Sequence, residues 1–136
     1  MSAGEARDRG RERMRFLYGQ FQNIGSRTGE ELKTRLKGVP VALRASGLAV
    51  VAAQLAASPD SPGEGSRVVD GMIADLLAEW LLENTSIFSG QAGGSSRPIR
   101  NLLQHCVLAG RLEYEAAQQE ALCLMEQAKL LAAALW

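Results

Sequence analysis

The stretch from Leu32 to Ala57 constrains the fold most, because it is interrupted at two points and is almost wholly apolar in its second half. Pro40 lacks the backbone N–H that an interior helical position donates, and it is best tolerated in the first turn of a helix. Gly47 has no Cβ, so it permits a sharp joint or a close helix crossing. The stretch therefore predicts three short helical pieces that turn on one another.

Apolar side chains recur through these three pieces at spacings that let them share one interior. They are Leu36, Val39, Leu43, Leu48, Val51 and Leu55. The cations Lys33, Lys37 and Arg44 fall outside this set, so they are expected to face solvent. The piece after Gly47 carries almost no polar residue and is expected to be the most buried helix.

Further helices are predicted on either side of this stretch. Apolar residues at spacings of three and four indicate helices over residues 6–24, 67–83 and 98–109. Thr28 and Glu31 have the spacing of a capping box, which predicts that the first of the three short pieces begins at Thr28.

The final segment, from Arg111 or Leu112 onward, carries a heptad seam in which the steps alternate between three and four residues. Its positions are Tyr114, Ala117, Ala121, Leu124, Ala128, Leu131 and Leu135. The distance between packed helices depends on the side chains at their contact, so the small alanines let a second helix approach closely. The seam therefore predicts a long helix with a packing face.

Composition supports an all-α fold. Alanine and leucine are abundant and aromatic residues make up only 5% of the chain, which favours helices over strands. A chain of 136 residues can bury one sizeable core. We predict a compact bundle of about six helices that forms a single domain over residues 1–136. Residues 1–5 are expected to be disordered, and the turn-rich segments 58–66 and 84–97 to be flexible loops.

No residue pattern in the chain indicates catalysis. The single histidine, His105, lacks a placed carboxylate or second ligand, and its neighbour Cys106 points about 100° away on the same helix. Neither Cys106 nor Cys123 has the spacing of a zinc site or a disulfide framework. The sequence therefore predicts a protein that is not an enzyme and that binds no metal and no cofactor.

The cytoplasm is the location expected from the sequence. Two cysteines without a framework suit a reducing compartment, and the charged N-terminal residues are unlike a signal peptide. No apolar run is long enough to span a bilayer, so no membrane association is expected.

Charge is divided unevenly along the chain although the net charge is zero. Residues 1–50 carry ten Lys or Arg against five acids, whereas residues 51–136 carry five against ten. On one predicted helix, Asp75, Glu79 and Glu83 form an acidic back. Such a back suits either a basic protein neighbour or contact with water alone.

Three patches of the chain together resemble one known family. The first is Pro40, followed by Ser46-Gly47-Leu48 and Ala53; the second is Leu-x-Glu-Trp-Leu, which ends at Leu81; the third is Tyr114-x-x-Ala117-x-x-Glu120-Ala121-Leu122-x-Leu124. In this order they resemble the small helical subunit of the Cmr module, its fifth subunit family. That module is a type III-B CRISPR effector that is guided by RNA and targets RNA. Ser46 stands where the family usually has Asn, and Gln127 where Trp is common.

The resemblance implies a non-catalytic small subunit that acts in antiviral defence. Several copies would form an inner filament beside the backbone subunits that hold the guide RNA, and would help to accommodate the target RNA paired to it. The partners implied are other Cmr-type subunits, copies of the chain itself, guide RNA and target RNA. No small-molecule substrate is implied.

Contacts with RNA phosphates position a protein without reading sequence, and cations supply them. The residues predicted for RNA binding are Arg11, Arg15, Lys33, Lys37, Arg44 and Lys129, the last of which matches a Lys in the family's final helix. The residues predicted for a protein interface are Asp75, Glu79 and Glu83.

Two alternatives remain open from the sequence. One is the small subunit of the related Csm-type effector, whose sequence pattern matches less well. The other is an unrelated helical adaptor that pairs with a partner through the C-terminal heptad seam, with its arginines merely solvated.

Overall fold

Seven α-helices make up most of the residues that the computed structural model describes, which are 3–57, 66–89 and 94–136. They are α1 Ala3–Phe21, α2 Ser26–Leu36, α3 Val39–Ser46, α4 Leu48–Ala57, α5 Ser66–Glu83, α6 Pro98–Leu108 and α7 Arg111–Leu135. No strand occurs in these three ranges. The predicted all-α bundle is confirmed, with seven helices in the described residues where about six were expected.

Helix α7 lies at the centre of the bundle. It packs against α1, α2, α3 and α5 and has a smaller contact with α4, whereas α6 covers α4 and α5. Ala117, Ala121, Ala128 and Ala132 of α7 are completely buried, and their small side chains let the neighbouring helices approach closely. The buried apolar side chains of all seven helices form one cluster, to which all six apolar residues predicted in the 32–57 stretch belong.

The heptad seam predicted on α7 is buried inside this chain. Its middle positions, from Ala117 to Ala128, face the core, but Leu135 is 41% exposed. Toward the end of α7 the buried face passes instead through Met125 and Ala132. A straight helix has 3.6 residues per turn, so a strict 3.5-residue seam drifts by about 20° per heptad and leaves the core.

Side chains of α7 hold the joint between α3 and α4. Gln118 Nε2 donates to the carbonyl of Leu43 at the end of α3 (2.7 Å), and its Oε1 accepts from the backbone N–H of Leu48 (2.6 Å). Tyr114 Oη accepts from the next N–H along α4 at 3.0 Å. Both ends of a helix leave backbone groups without intrahelical partners, and these two side chains satisfy them. Gly47 at the joint has φ 87° and ψ 163°, a conformation restricted almost wholly to glycine.

Helix α2 begins earlier than the predicted capping box. The carbonyl of Gly25 accepts from the N–H of Gly29 at 2.8 Å, so the helix is already formed when the chain reaches Thr28. The predicted capping role of Thr28 is therefore wrong. The ring of Trp136 lies where a Cβ on Gly29 would stand, so only glycine allows this close approach between α2 and the end of the chain.

The predictions of disorder fall partly outside the described residues. Residues 1–2, 58–65 and 90–93 are not described, so flexibility there stays a prediction. The described part of the segment expected to be disordered, residues 3–5, is helical, because α1 begins at Ala3. Within the described ranges, no helix is both long and apolar enough to cross a bilayer.

Replacing Gly47 with Ala should destabilise the fold by about 1–3 kcal/mol, because a residue with a Cβ is strained in this conformation. The added Cβ would also lie 3.0 Å from Tyr114 Oη. Urea unfolding should show a lower midpoint with an unchanged slope.

Gly19→Ala provides the matched control. Gly19 lies inside α1, and a Cβ there would meet no atom within 4 Å. This variant should gain about 1 kcal/mol from the better helix propensity of alanine. Equal effects of the two substitutions would contradict the role assigned to Gly47.

Candidate nucleic-acid interface

A buried carboxylate on α7 determines which arginines of α1 are available for a ligand. Glu120 is only 5% exposed. Arg13 of α1 donates to it twice, from Nε to Oε1 at 2.6 Å and from Nη2 to Oε2 at 2.9 Å. Trp80 of α5 donates from Nε1 to Oε1 at 2.9 Å. One carboxylate therefore joins three helices, and Phe16 packs against the Trp80 ring with the centroids 5.2 Å apart.

The surroundings of Glu120 favour its charged form. Burial raises the pKa of this carboxyl, but the hydrogen bonds from Arg13 and Trp80 and the nearby positive charges of Arg13 and Arg9 lower the pKa by more. The net pKa of Glu120 lies below its ordinary value. The hydrogen bond to Glu120 in turn raises the pKa of Arg13. The pair is therefore ionised, and Arg13 is committed to the interior.

Arg11 and Arg15 lie on the exposed flank of α1. Each is two residues from Arg13, which on a helix is a rotation of about 200°. Since Arg13 points toward α7, Arg11 and Arg15 point away from it, and both are exposed. Two of the six predicted RNA-binding residues thus share one accessible side of α1.

Lys33 and Lys37 lie one turn apart on the outer face of the α2 region. Lys37 is exposed, whereas the side chain of Lys33 is 24% exposed and its Nζ lies 3.1 Å from Glu30 Oε2. An exposed i, i+3 pair of this kind is weak, so a phosphate can compete with the carboxylate for Lys33.

Arg44 and Lys129 line a single groove between α3 and α7. Arg44 forms an ion pair with Glu126 across it. The groove also contains Val41 and Leu130, which are 62% and 66% exposed. The structure therefore brings these two predicted cations together, but in mixed apolar and charged surroundings, and on a side of the molecule that Arg11 and Arg15 do not face.

The predicted protein-interface residues lie along the outside of α5. Asp75 and Glu83 are exposed and Glu79 is half-buried. Their spacing of four places them on one face of the helix. We call these three residues the acidic strip.

The cysteines and the histidine have structural surroundings in this fold. Burial raises the pKa of the Cys106 thiol to about 12, so it is un-ionised at neutral pH. His105 stacks on Phe88 with the ring centroids 5.0 Å apart. The part of the chain that the structure describes contains no group of three or more His, Cys, Asp or Glu side chains that could hold a metal.

Comparison with known families gives one match. The family described as CRISPR-associated protein (Cas_Cmr5) matches residues 9–135, which is nearly the whole chain. The chain belongs to the Cas_Cmr5 family. It is therefore a subunit of a Cmr effector complex, and the resemblance noted in the sequence is confirmed. No curated protein matches the chain.

The three patches that resemble the Cas_Cmr5 family meet in the structure. The second patch joins the third through Trp80 and Glu120, and the first joins the third where Tyr114 caps α4 beside Gly47. The motifs that identify a Cas_Cmr5 chain are thus contacts that hold α3, α4 and α5 on α7.

The family match and the burial of α7 bear on both alternatives left open by the sequence. A Cas_Cmr5 match favours the Cmr type over the Csm type. The adaptor hypothesis needs a free C-terminal seam, but Ala117, Ala121 and Ala128 are completely buried within the chain. A partner cannot use them without unfolding the bundle.

The sequence gave a signal for Glu120 that the periodicity analysis passed over. Glu120 stands between seam positions Ala117 and Ala121, so the helix turns it toward the core and not toward solvent. A charge in such a place demands a counterion. Which arginine of α1 supplies it depends on how α1 rotates against α7, and Arg13 is the one that does.

Glu120→Gln should destabilise the protein by about 3 kcal/mol at neutral pH, because it leaves the guanidinium of Arg13 buried without a counterion. Thermal or urea unfolding measures the loss. Glu115→Gln, on the same helix but 58% exposed, should change stability by less than about 0.5 kcal/mol.

The pH dependence separates a charge effect from a packing effect. Because the folded-state pKa of Glu120 is lowered, the ionised carboxylate stabilises the fold above the ordinary carboxyl range, and this contribution is lost as the pH falls through it. The difference in stability between wild type and Glu120→Gln should therefore shrink in acid. A difference that stays constant with pH would contradict the ion-pair account.

Proposed function

We propose that this Cmr subunit is non-catalytic and that it helps to hold the target RNA in a cytoplasmic, RNA-guided antiviral effector. The observation that carries the proposal is the Cas_Cmr5 match over residues 9–135 combined with exposed cations on α1 and α2. Several copies lie side by side as an inner filament next to the subunits that bind the guide RNA. Cleavage belongs to other subunits of the complex.

The cations of α1 and α2 suit contact with a phosphate backbone. Arg11, Arg15 and Lys37 are exposed, and the carboxylate on Lys33 is weakly held. Such contacts are independent of base sequence, as a subunit requires that must accept any target paired to the guide. The zero net charge of the chain is consistent with RNA binding that depends on the assembled complex.

Arg44 and Lys129 are proposed for the same basic face, since both are exposed cations. Their groove differs from the α1 and α2 surfaces because it also presents Val41 and Leu130. Phosphates have no use for exposed apolar side chains, so the α1 and α2 cations carry the RNA proposal.

Lys33→Glu combined with Lys37→Glu should weaken retention of target RNA by the reconstituted Cmr complex. Each phosphate contact that is lost should reduce the slope of log K against log salt by about 0.7–0.9. Filter binding of labelled target RNA at several salt concentrations measures both quantities.

Arg100→Glu combined with Arg111→Glu provides the matched control. Both arginines are exposed, on α6 and at the start of α7, and the change in charge is the same. This variant should retain target RNA as the wild type does. Equal losses in the two variants would reduce the effect to net charge, and no loss in the α2 variant would remove Lys33 and Lys37 from the RNA face.

A further inference from the structure

The groove between α3 and α7 has the character of a protein-binding surface. Val41 of α3 and Leu130 of α7 are more than 60% exposed within it, and Ala133 and Pro40 extend its apolar lining. On α7 the groove runs from Cys123 to Ala133, which is about 15 Å at 1.5 Å per residue. This length fits about three turns of an amphipathic helix.

Charge restricts the occupant of the groove. Arg44 and Lys129 lie at its sides, and Glu126 is the one acid among its lining residues, where it is already paired with Arg44. Arg13 is committed to Glu120. The occupant should therefore combine apolar side chains with carboxylates that pair with Arg44 and Lys129.

The same chain carries a helix surface of this kind. The acidic strip of Asp75, Glu79 and Glu83 lies on the outside of α5, and Val68 and Leu82 fall on the same face at helical spacing. Val68 is 39% exposed and Leu82 is partly buried. From Asp75 to Glu83 the strip rises about 12 Å, close to the length of the groove.

We propose that the groove between α3 and α7 receives the acidic strip of α5 from a second copy of this chain. Arg44 and Lys129 of one copy then pair with the carboxylates of the next, while Val41 and Leu130 pack against the apolar residues of its α5. The two surfaces are different, so the contact is head to tail and repeats without closing. This inference rests on the proposed function, since it names the surfaces by which neighbouring copies meet in the filament.

A charge exchange tests the pairing in the reconstituted Cmr complex, with copies per complex counted by native mass spectrometry. Arg44→Glu with Lys129→Glu should reduce the number of copies to about half or fewer, and so should Glu79→Lys with Glu83→Lys. A chain that carries all four substitutions should regain the wild-type number. Circular dichroism of each isolated chain establishes that the helices remain folded.

An apolar substitution separates this contact from RNA binding. Leu130→Ser should also lower the number of copies, although it changes no charge. Leu112→Ser is the control, because Leu112 is 82% exposed and lies at the other end of α7. It should leave the number of copies unchanged.

The remaining outcomes would overturn the inference. If Arg44→Glu with Lys129→Glu loses target RNA while the number of copies stays at the wild-type value, the groove binds RNA. If copies are lost but the four-substitution chain does not restore them, the groove holds another subunit. In both cases the complex still forms with its guide RNA, so the proposed function survives. A wild-type chain that assembles with no Cmr subunit and no RNA would contradict the proposed function itself.

Discussion

The buried carboxylate of Glu120 is the interaction on which the arrangement of the bundle depends. An ionised carboxylate removed from water costs several kcal/mol unless charge and hydrogen bonds replace its hydration. Arg13 and Trp80 supply both, and they come from α1 and α5. This requirement fixes the rotation of α1 about its own axis, because only one of its arginines can reach the carboxylate with both donors. Two helices that are far from α7 in sequence are thus held in one register against it.

That register has consequences at the surface. With Arg13 turned inward, Arg11 and Arg15 face solvent together. The polar side chains of Tyr114 and Gln118 fix the joint at Gly47 in a similar way, and the orientation of α3 places Arg44 and Val41 beside α7. Internal polar contacts of α7 therefore determine where the external cations and apolar residues lie. The RNA face and the groove are proposals about these surfaces, and both follow from how α7 orders its neighbours.

Local patterns predicted most of the architecture. Pro40 and Gly47 marked the joints, helical periodicity marked the long helices, and the alanines of α7 marked its buried face, since each signal depends on residues close in sequence. The capping box at Thr28 failed because Gly29 contacts Trp136, more than a hundred residues away. Spacing alone grouped Arg13 with the other arginines of α1, because its partner Glu120 lies 107 residues along the chain. Whether the cations touch RNA depends on partners outside the chain, and no internal pattern reveals them.

The central claim is that this Cas_Cmr5 chain works within an RNA-guided complex and not alone. The most direct measurement is to tag the protein in its source cells, purify it gently, and identify what accompanies it by mass spectrometry and RNA sequencing. The account predicts several other Cmr subunits together with short RNAs that carry CRISPR repeat tags. Recovery of the protein alone, or with a single partner and no guide RNA, would contradict it.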